Sequence, residues 1–235
     1  MAGFEFSSGF LYYVYMTHQD QNIKIAVDIV IFTIMDSALK IILIQMKKKP
    51  FTKKWAFPGG LINDKESLDD AAKRELYEKA GVKNVYLEQL YTFGHPKRDP
   101  YGRVVSCAYF ALVNSEGIKL RTIEKYSDIK WFDIKKLPKL AYDHADIAKY
   151  ALQRLRWKLE YTNVVYSLMP KHFTLSQLRR VYEIILGRKI DRRNFQRKVL
   201  ALNLLRLTHK KQIGKHRPAK LYEFKIRKPT FVEVL

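Results

Sequence analysis

Long runs of β-branched and other apolar residues dominate the first half of the chain. Two of them, Ile25–Met35 and Leu39–Met46, are separated only by Asp36-Ser37-Ala38, which predicts an antiparallel pair of strands. Further strands are predicted at Val85–Phe93, Val104–Val113 and Asp128–Phe132.

One segment between these strands has a helical pattern instead. Ser67 is a predicted N-cap, with Asp69 and Asp70 in the first turn, and Gly81 is the predicted end of the helix. The segment Trp55–Gly60 before it predicts a turn. A single strong helix among strands favours an α+β sandwich over a regular βαβ repeat. Apolar residues recur at helical spacing at Leu68, Ala71, Ala72, Leu76 and Ala80.

The last third of the chain contains two short capped helices and a hairpin. Thr174 and Gln177 form a predicted capping box, and Gly187 ends the first helix. The second helix begins after Asp191 and runs to about Leu202. Two such helices joined by a glycine-containing turn match a helix-turn-helix. Leu204–Thr208 and Ala219–Phe224 read as strands flanking His209–Pro218, which predicts a wing.

The two halves of the chain also differ in net charge. The chain has a net charge of +21, and residues 161–235 alone hold 18 Lys plus Arg against 4 Asp plus Glu. This excess indicates an anionic partner, either nucleic acid or an acidic membrane surface. A calmodulin-type amphipathic helix or a membrane patch would not need a second capped helix or a hairpin, so double-stranded DNA is the favoured partner.

The exposed face of the second helix and the wing carry the predicted DNA contacts. These side chains can reach a groove and its phosphates. They are Thr174, Arg192, Arg193, Asn194, Gln196, Arg197, Lys198, Lys210, Lys211, Lys215, His216 and Arg217.

Several classes of protein are excluded by the sequence. The single cysteine, Cys107, excludes a disulfide framework and a cysteine-rich zinc module. The best apolar run, Ile25–Phe32, is interrupted by Asp28 and is far shorter than the roughly 20 residues that span a bilayer. The N-terminus lacks the pattern of a signal peptide, so we expect a cytoplasmic protein without a membrane partner.

A spaced motif in the first half resembles the Nudix box, G-x5-E-x7-R-E-U-x-E-E-x-G-U, where U is aliphatic. All fixed positions match except one, at which Lys79 replaces the second glutamate of the E-E pair. The matching residues are Gly60, Glu66, Arg74, Glu75, Leu76, Glu78, Gly81 and Val82. The resemblance implies a Nudix-type α/β/α sandwich.

The family's glutamates coordinate Mg²⁺, which polarises a pyrophosphate and positions water. Lys79 would lie one turn from Glu75 on the same helix face, so it replaces a metal ligand by a cation. We therefore expect no catalytic residues, no required cofactor, and at most a weak Mg²⁺ site at Glu75 and Glu78. The lysine could instead contact a ligand phosphate directly.

The stretch from Arg98 to Ser106 resembles the signature of Nudix domains that accept ADP-ribose and related compounds. Arg98, Asp99, Arg103 and Lys79 are the predicted ligand-binding residues. The alternative is a tight Asp-Pro turn whose arginines are solvated.

The second half, together with the connecting segment Arg154–Thr162, resembles the Nudix-related transcriptional regulators. The segments that carry the resemblance are Ser167–Pro170, Phe173–Leu175, Tyr182–Gly187, Asp191–Phe195 and His216–Tyr222. The resemblance implies a homodimeric repressor of NAD-cofactor metabolism genes. It would bind a palindromic operator and would sense ADP-ribose or a related phosphorylated metabolite. An active Mg²⁺-dependent Nudix hydrolase and a sugar-responsive regulator of the same architecture are the alternatives.

The predicted organisation has three parts. Residues 1–145 form a Nudix-like sensing domain with an N-terminal arm, and residues 146–162 a connecting helix or linker. Residues 163–235 form a winged helix-turn-helix. The connecting helix follows from a helical apolar pattern between Asp143 and Leu159.

Overall fold

A mixed sheet of seven strands forms the centre of the first half. The computed structural model describes residues 22–83, 85–114, 116, 118, 120, 126–212 and 219–233. The main path of the sheet has the order β3-β2-β1-β6-β5, while β4 pairs with β1 and β7 with β2. The strands are β1 (Lys24–Met35), β2 (Ala38–Met46), β3 (Trp55–Ala56), β4 (Gly59–Leu61), β5 (Tyr86–Phe93), β6 (Val104–Leu112) and β7 (Tyr126–Asp133).

The predicted antiparallel pair is confirmed. Strands β1 and β2 pair in a register that places Phe32 opposite Ile41. Asp36 and Ser37 both have positive φ, 52° and 58°, as the central residues of a two-residue hairpin of the favoured twist require. The central pair β1 and β6 is parallel, with Val27 opposite Cys107.

The prediction of a simple turn at Trp55–Gly60 is wrong. Trp55 and Ala56 form β3 against β2, and Gly59 and Gly60 begin β4 against β1. Pro58, Gly59 and Gly60 are turn formers, but the pairing of this segment with two established strands overrides their local preference.

The helices begin and end close to the predicted residues. Ser67 caps the first and Gly81 ends it in the left-handed region. Thr174 and Gln177 form the predicted capping box, and Gly187 and Asp191 lie at the turn between the last two helices. The helices are α1 (Leu68–Ala80), α2 (His144–Tyr161), α3 (Leu175–Leu186) and α4 (Arg192–Ala201), with a 3₁₀ helix at Val164–Ser167.

A two-stranded hairpin completes the second half. Strands β8 (Leu205–Gln212) and β9 (Ala219–Phe224) are antiparallel, and β8 extends four residues beyond the predicted strand, because cross-strand pairing continues to Gln212. The rest of the wing tip, residues 213–218, lies outside the described residues, as does the predicted N-terminal arm up to residue 21.

The sheet separates two apolar clusters, which confirms the α/β/α sandwich. Alternate residues of β1 face opposite sides: Val27 and Ile29 pack with α1, whereas Val30 and Phe32 pack with α2. The cluster on the α2 side continues without a break into the winged helix-turn-helix, where it includes Phe195 and Phe224. Helix α2 therefore belongs to the packed interior of both halves.

Candidate ligand cavity and DNA-binding surface

A cavity of about 410 Å³ opens beside the Nudix box. Its wall combines the middle of β1, the loop between β2 and β3, strand β4, the loop before β6 and the residues that begin α2. These segments are distant in sequence, and the sheet pairing described above brings them together.

A buried carboxylate organises this wall. Asp28 lies in the apolar strand β1, and its Oδ2 accepts hydrogen bonds from Ser106 Oγ at 2.6 Å and Arg98 Nη2 at 3.1 Å. Arg98 also donates to both carboxylate oxygens of Asp143, at 2.8 and 2.9 Å. Burial alone would raise the pKa of Asp28, but His144, Arg98 and Ser106 stabilise the charged form and hold its pKa well below the usual range.

The first residue of α2 joins the same network. His144 Nδ1 accepts a hydrogen bond from the backbone N–H of Phe57 at 2.9 Å, and the two rings stack with centroids 5.1 Å apart. Since Nδ1 is an acceptor, a neutral His144 carries its proton on Nε2, which lies 3.5 Å from Asp28 Oδ1. The start of α2 is thus fixed to β1 and to the residue after β3.

Aromatic rings and lysines also line the cavity. The ring centroids of Phe51 and Tyr142 lie 4.3 Å apart, and Lys48 and Lys49 line the same cavity. Burial raises the pKa of Tyr142 to about 12, so its hydroxyl is protonated at neutral pH. The lining therefore combines flat apolar surfaces with positive charge.

The four predicted ligand-binding residues separate into two groups. Arg98 and Asp99 line the cavity. Arg103 instead donates to the backbone carbonyl of Gly94 at 2.7 Å, within its own loop, and Lys79 is buried behind the wall. The charge of Arg98 is already compensated by two carboxylates.

Ion pairs connect the acidic residues of the Nudix box with its two cations. Arg74 donates to Glu66 at 2.6 and 3.0 Å and to Glu75 Oε1 at 2.8 Å, while Glu78 lies 3.8 Å away and is half exposed. The hydrogen bond from Arg74 lowers the pKa of Glu66 to about 2.

Lys79 occupies the remaining side of Glu75. Its ammonium group donates to Glu75 Oε2 and to the backbone carbonyl of Gly59, and it lies 5.2 Å from the ring centroid of Tyr126. Only 3% of the Lys79 side chain is exposed. The expected direct contact between this lysine and a ligand phosphate is therefore not prearranged in the structure.

In the second half, α4 presents a cationic face. Arg192, Arg193, Asn194, Arg197 and Lys198 are exposed and Gln196 is half-buried, whereas Phe195 and Val199 pack inward. Arg197 donates to Asn194 Oδ1 at 3.1 Å, one turn away on the same face.

A buried glutamate sets the angle between α3 and α4. Glu183 accepts a hydrogen bond from the backbone N–H of Ile190 at 3.0 Å, and Arg179 donates to the carbonyl of the same residue, also at 3.0 Å. The ring of Tyr182 packs edge-on against Phe195, with centroids 5.3 Å apart. These contacts fix the position from which α4 is presented.

The other predicted DNA contacts are placed differently. Thr174 is buried, and its Oγ1 accepts the backbone N–H of Gln177 at 3.1 Å, so its side chain is engaged in the helix cap. Lys210 and Lys211 lie on β8 with side chains outside the described part of the structure, and Lys215, His216 and Arg217 lie outside the described residues.

Sequence reasoning missed most of the cavity wall. Asp28 carried a signal, since a carboxylate inside a buried strand needs a compensating partner. His144, Phe51 and Tyr142 carried none, because each reaches the cavity only through the long-range pairing of the sheet and the packing of α2.

Comparisons with known proteins assign both halves. The model of the NUDIX domain matches residues 24–155, and that of the NrtR DNA-binding winged helix domain matches residues 165–224. The ADPR responsive transcriptional repressor NtrR of Acinetobacter baylyi is 37% identical over 205 residues, which cover 86% of this chain and 82% of the relative.

Solved structures agree with these matches. The crystal structure of Shewanella oneidensis NrtR complexed with a 27mer DNA has a TM-score of 0.77 and 37% identity, covering 86% of this chain and 93% of that one. The NUDIX domain of the same NrtR complexed with ADP ribose has a TM-score of 0.52 and 34% identity, covering 61% and 97%.

A NUDIX domain followed by a DNA-binding winged helix domain defines a class of two-domain regulators. This chain belongs to the NrtR family of that class. None of the helices in the described ranges is long and apolar enough to cross a bilayer.

Replacing Asp28 tests the network that fixes the start of α2. Asp28→Asn should lower the free energy of unfolding at neutral pH by ~3 kcal/mol, because the buried cationic and polar partners of Asp28 lose the negative charge that they contact. A carboxylate with a depressed folded-state pKa stabilises the fold above its unfolded pKa of about 4, and this contribution disappears as the pH falls further. The loss of stability on acidification below about pH 4 should therefore be smaller in the variant, as measured by urea unfolding.

Asp36→Asn is the matched control. Asp36 is exposed and pairs with Lys40 on the surface, so its replacement should cost less than about 0.5 kcal/mol. Equal losses in the two variants would contradict the assigned role of Asp28.

Proposed function

We propose that this protein is a transcriptional repressor of NAD-cofactor metabolism genes, which binds operator DNA as a homodimer and responds to ADP-ribose or a related phosphorylated metabolite. The observation that carries the proposal is the similarity to an ADPR responsive repressor over 86% of the chain, across both domains. The repressor role and the effector are taken from this relationship. The regulated genes are those that the resemblance to the Nudix-related transcriptional regulators implies.

The cationic face of α4 supports a role in reading DNA. Its arginines and Lys198 are exposed, whereas Phe195 and Val199 pack against the rest of the domain. A recognition helix held in this way can enter a major groove while its basic residues contact phosphates. Two copies in a homodimer would read the two halves of a palindromic operator.

The cavity in the NUDIX domain supports a nucleotide-type ligand. Its volume of about 410 Å³ lies within the range of small-molecule sites. The rings of Phe51 and Tyr142 offer flat surfaces for a base, and Lys48 and Lys49 supply positive charge for phosphates. A neutral sugar would use less of this charge, which favours the phosphorylated ligand over the sugar-responsive alternative.

Helix α2 offers a route from the cavity to the DNA-binding domain. Tyr142 and His144 line the cavity at the start of the helix. Near its other end Arg156 donates to the carbonyl of Ile185 in α3 at 3.0 Å, and Leu155 and Leu159 are buried in the shared apolar cluster. A ligand that prefers one placement of the first turn of α2 would shift the population of domain arrangements, and with it the spacing of the two recognition helices.

We further propose that the NUDIX domain binds its ligand without efficient hydrolysis. Lys79 replaces a glutamate of the box, and its ammonium group is bonded to Glu75. A nearby cation opposes the binding of a divalent ion that would activate water.

The response to ligand is tested by footprinting. ADP-ribose should weaken protection of a palindromic operator by about tenfold or more, since allosteric coupling of 1–3 kcal/mol changes affinity by 5–150-fold. Ribose and ribose phosphate serve as comparison ligands. Unchanged protection with ADP-ribose would contradict the proposed effector, and release by free pentose would favour the sugar-responsive alternative.

Absence of efficient hydrolysis is tested by product analysis. With ADP-ribose and Mg²⁺, turnover should remain far below the roughly 1–1000 s⁻¹ typical of enzymes. The measurement is the formation of AMP and ribose phosphate, separated by chromatography. Turnover in the enzymatic range would establish the hydrolase alternative.

The recognition helix is tested through Arg193. Arg193→Ala should weaken operator binding by about 1–3 kcal/mol if the side chain reads a base, or reduce the salt slope by about one if it contacts phosphate. Lys149→Ala, at an exposed position of α2, removes the same charge away from α4 and should leave both quantities unchanged. Measurement of DNA affinity over a range of salt concentrations separates these outcomes, and equal effects of the two variants would place the contact elsewhere.

A further inference from the structure

The NUDIX fold implies a Mg²⁺ site at the Nudix box, which would require several oxygen ligands from the residues of the box. Mg²⁺ prefers several oxygen ligands in octahedral geometry. In this chain the carboxylate of Glu75 and the carbonyl of Gly59 both accept hydrogen bonds from the ammonium of Lys79. One carboxylate oxygen of the box, Glu75 Oε2, and the carbonyl oxygen of the residue just before the box are therefore directed at a cation that belongs to the protein.

The remaining acidic residues do not compensate for this. Both oxygens of Glu66 accept hydrogen bonds from Arg74, and Glu78 is half exposed. Within the described ranges, no group of three or more His, Cys, Asp or Glu is placed to hold a metal ion. The residues present do not fit a resident divalent metal.

We infer that the ammonium of Lys79 replaces the metal ion as the resident cation of the ligand site. It is held by a carboxylate and a backbone carbonyl, the kinds of oxygen that would otherwise bind Mg²⁺. Gly59, Gly60 and Tyr126 line the cavity, and two of them, Gly59 and Tyr126, also contact Lys79. The positive charge thus lies directly behind the wall that a phosphorylated ligand would meet.

The local backbone is shaped for this arrangement. A Cβ at Gly60 would lie 2.4 Å from Glu75 Oε1, and one at Gly59 would lie 2.3 Å from the carbonyl oxygen of Val27. Only glycines allow β4 to approach α1 and β1 this closely. This close approach brings the Gly59 carbonyl within reach of a lysine one turn beyond Glu75.

The substitution changes what the site can do. An ammonium supplies positive charge through three N–H donors, but it has no open coordination position at which to activate water. Lys79 is paired with Glu75, so its effect is to make the box two charges more positive than a glutamate at this position would. A diphosphate should therefore bind without Mg²⁺. This inference rests on the proposed function for the class of ligand, whereas the arrangement of Lys79, Glu75 and Gly59 is independent of the ligand's identity.

Metal dependence provides the test. The affinity of the full-length protein for ADP-ribose, measured by calorimetry, should differ by less than about twofold between EDTA and Mg²⁺. Lys79→Glu should weaken binding by about tenfold in EDTA, and Mg²⁺ should restore it, a change of about 1.4 kcal/mol. Mn²⁺ alone, without ADP-ribose, should raise the Tm of Lys79→Glu but not that of the parent protein.

Lys83→Glu is the matched control, because it reverses the same charge at an exposed position four residues away. It should gain no metal response. Lys79→Met provides a second variant should Lys79→Glu not fold: its weakened affinity for ADP-ribose should not be rescued by Mg²⁺.

The outcomes separate the two proposals. A parent protein that needs Mg²⁺ for ligand binding, or a Lys79→Glu variant that folds without gaining a metal response, would overturn the inference. If ADP-ribose does not bind the parent under either condition, the proposed effector is wrong, while the effect of Mn²⁺ on the Tm of the parent and Lys79→Glu still decides whether Lys79 replaces the metal.

Discussion

The cavity wall and the start of α2 both depend on compensation of one buried negative charge. Asp28 lies in a strand whose neighbouring residues are apolar and inaccessible, so its carboxylate needs partners from elsewhere in the chain. Arg98 comes from the loop before β6, Ser106 from β6 itself and His144 from α2. Because one carboxylate contacts all three side chains, a displacement of any one of these side chains changes the positions of the other two. A ligand in this cavity would therefore act on the position of α2 without touching the DNA-binding domain.

The packing of α2 determines whether a displacement at the cavity reaches the winged helix-turn-helix. One side of the helix lies in the apolar cluster that runs from β1 to the winged helix-turn-helix, and Lys158 pairs with Glu88 of β5 at 2.5 Å. The segment after α2 is fixed from the other direction, since Asn163 Oδ1 accepts the backbone N–H of Thr230 at 2.8 Å. Close-packed contacts of this kind have discrete arrangements and do not deform continuously. The domain arrangement should accordingly change between distinct states.

Local signals predicted the elements well, but not the ligand site. The caps at Ser67, Thr174 and Asp191 require only neighbouring residues, so the sequence alone locates three helix starts. The resemblance to the Nudix box likewise uses fixed spacing. The cavity depends instead on contacts such as that between Phe57 and His144, 87 positions apart, which no local pattern encodes. The same reason explains why Lys79 was expected to contact phosphate: its pairing with the Gly59 carbonyl becomes visible only once β4 lies against β1 and α1.

Charged residues serve two different physical purposes in this protein. Those inside the NUDIX domain, such as Arg74 and Arg98, face carboxylates and fix geometry, whereas those on α4 are exposed and can attract DNA phosphates. The distinction matters for a sensor. An enzyme must stabilise a transition state more strongly than its substrate, and the ligand is consumed. A sensor needs only a difference in ligand affinity between two conformations, and the ligand must survive long enough to maintain it. Under the proposed function, a lysine in place of a metal ligand would meet both requirements of a sensor, since it would retain a cation for binding and remove the position at which water would be activated.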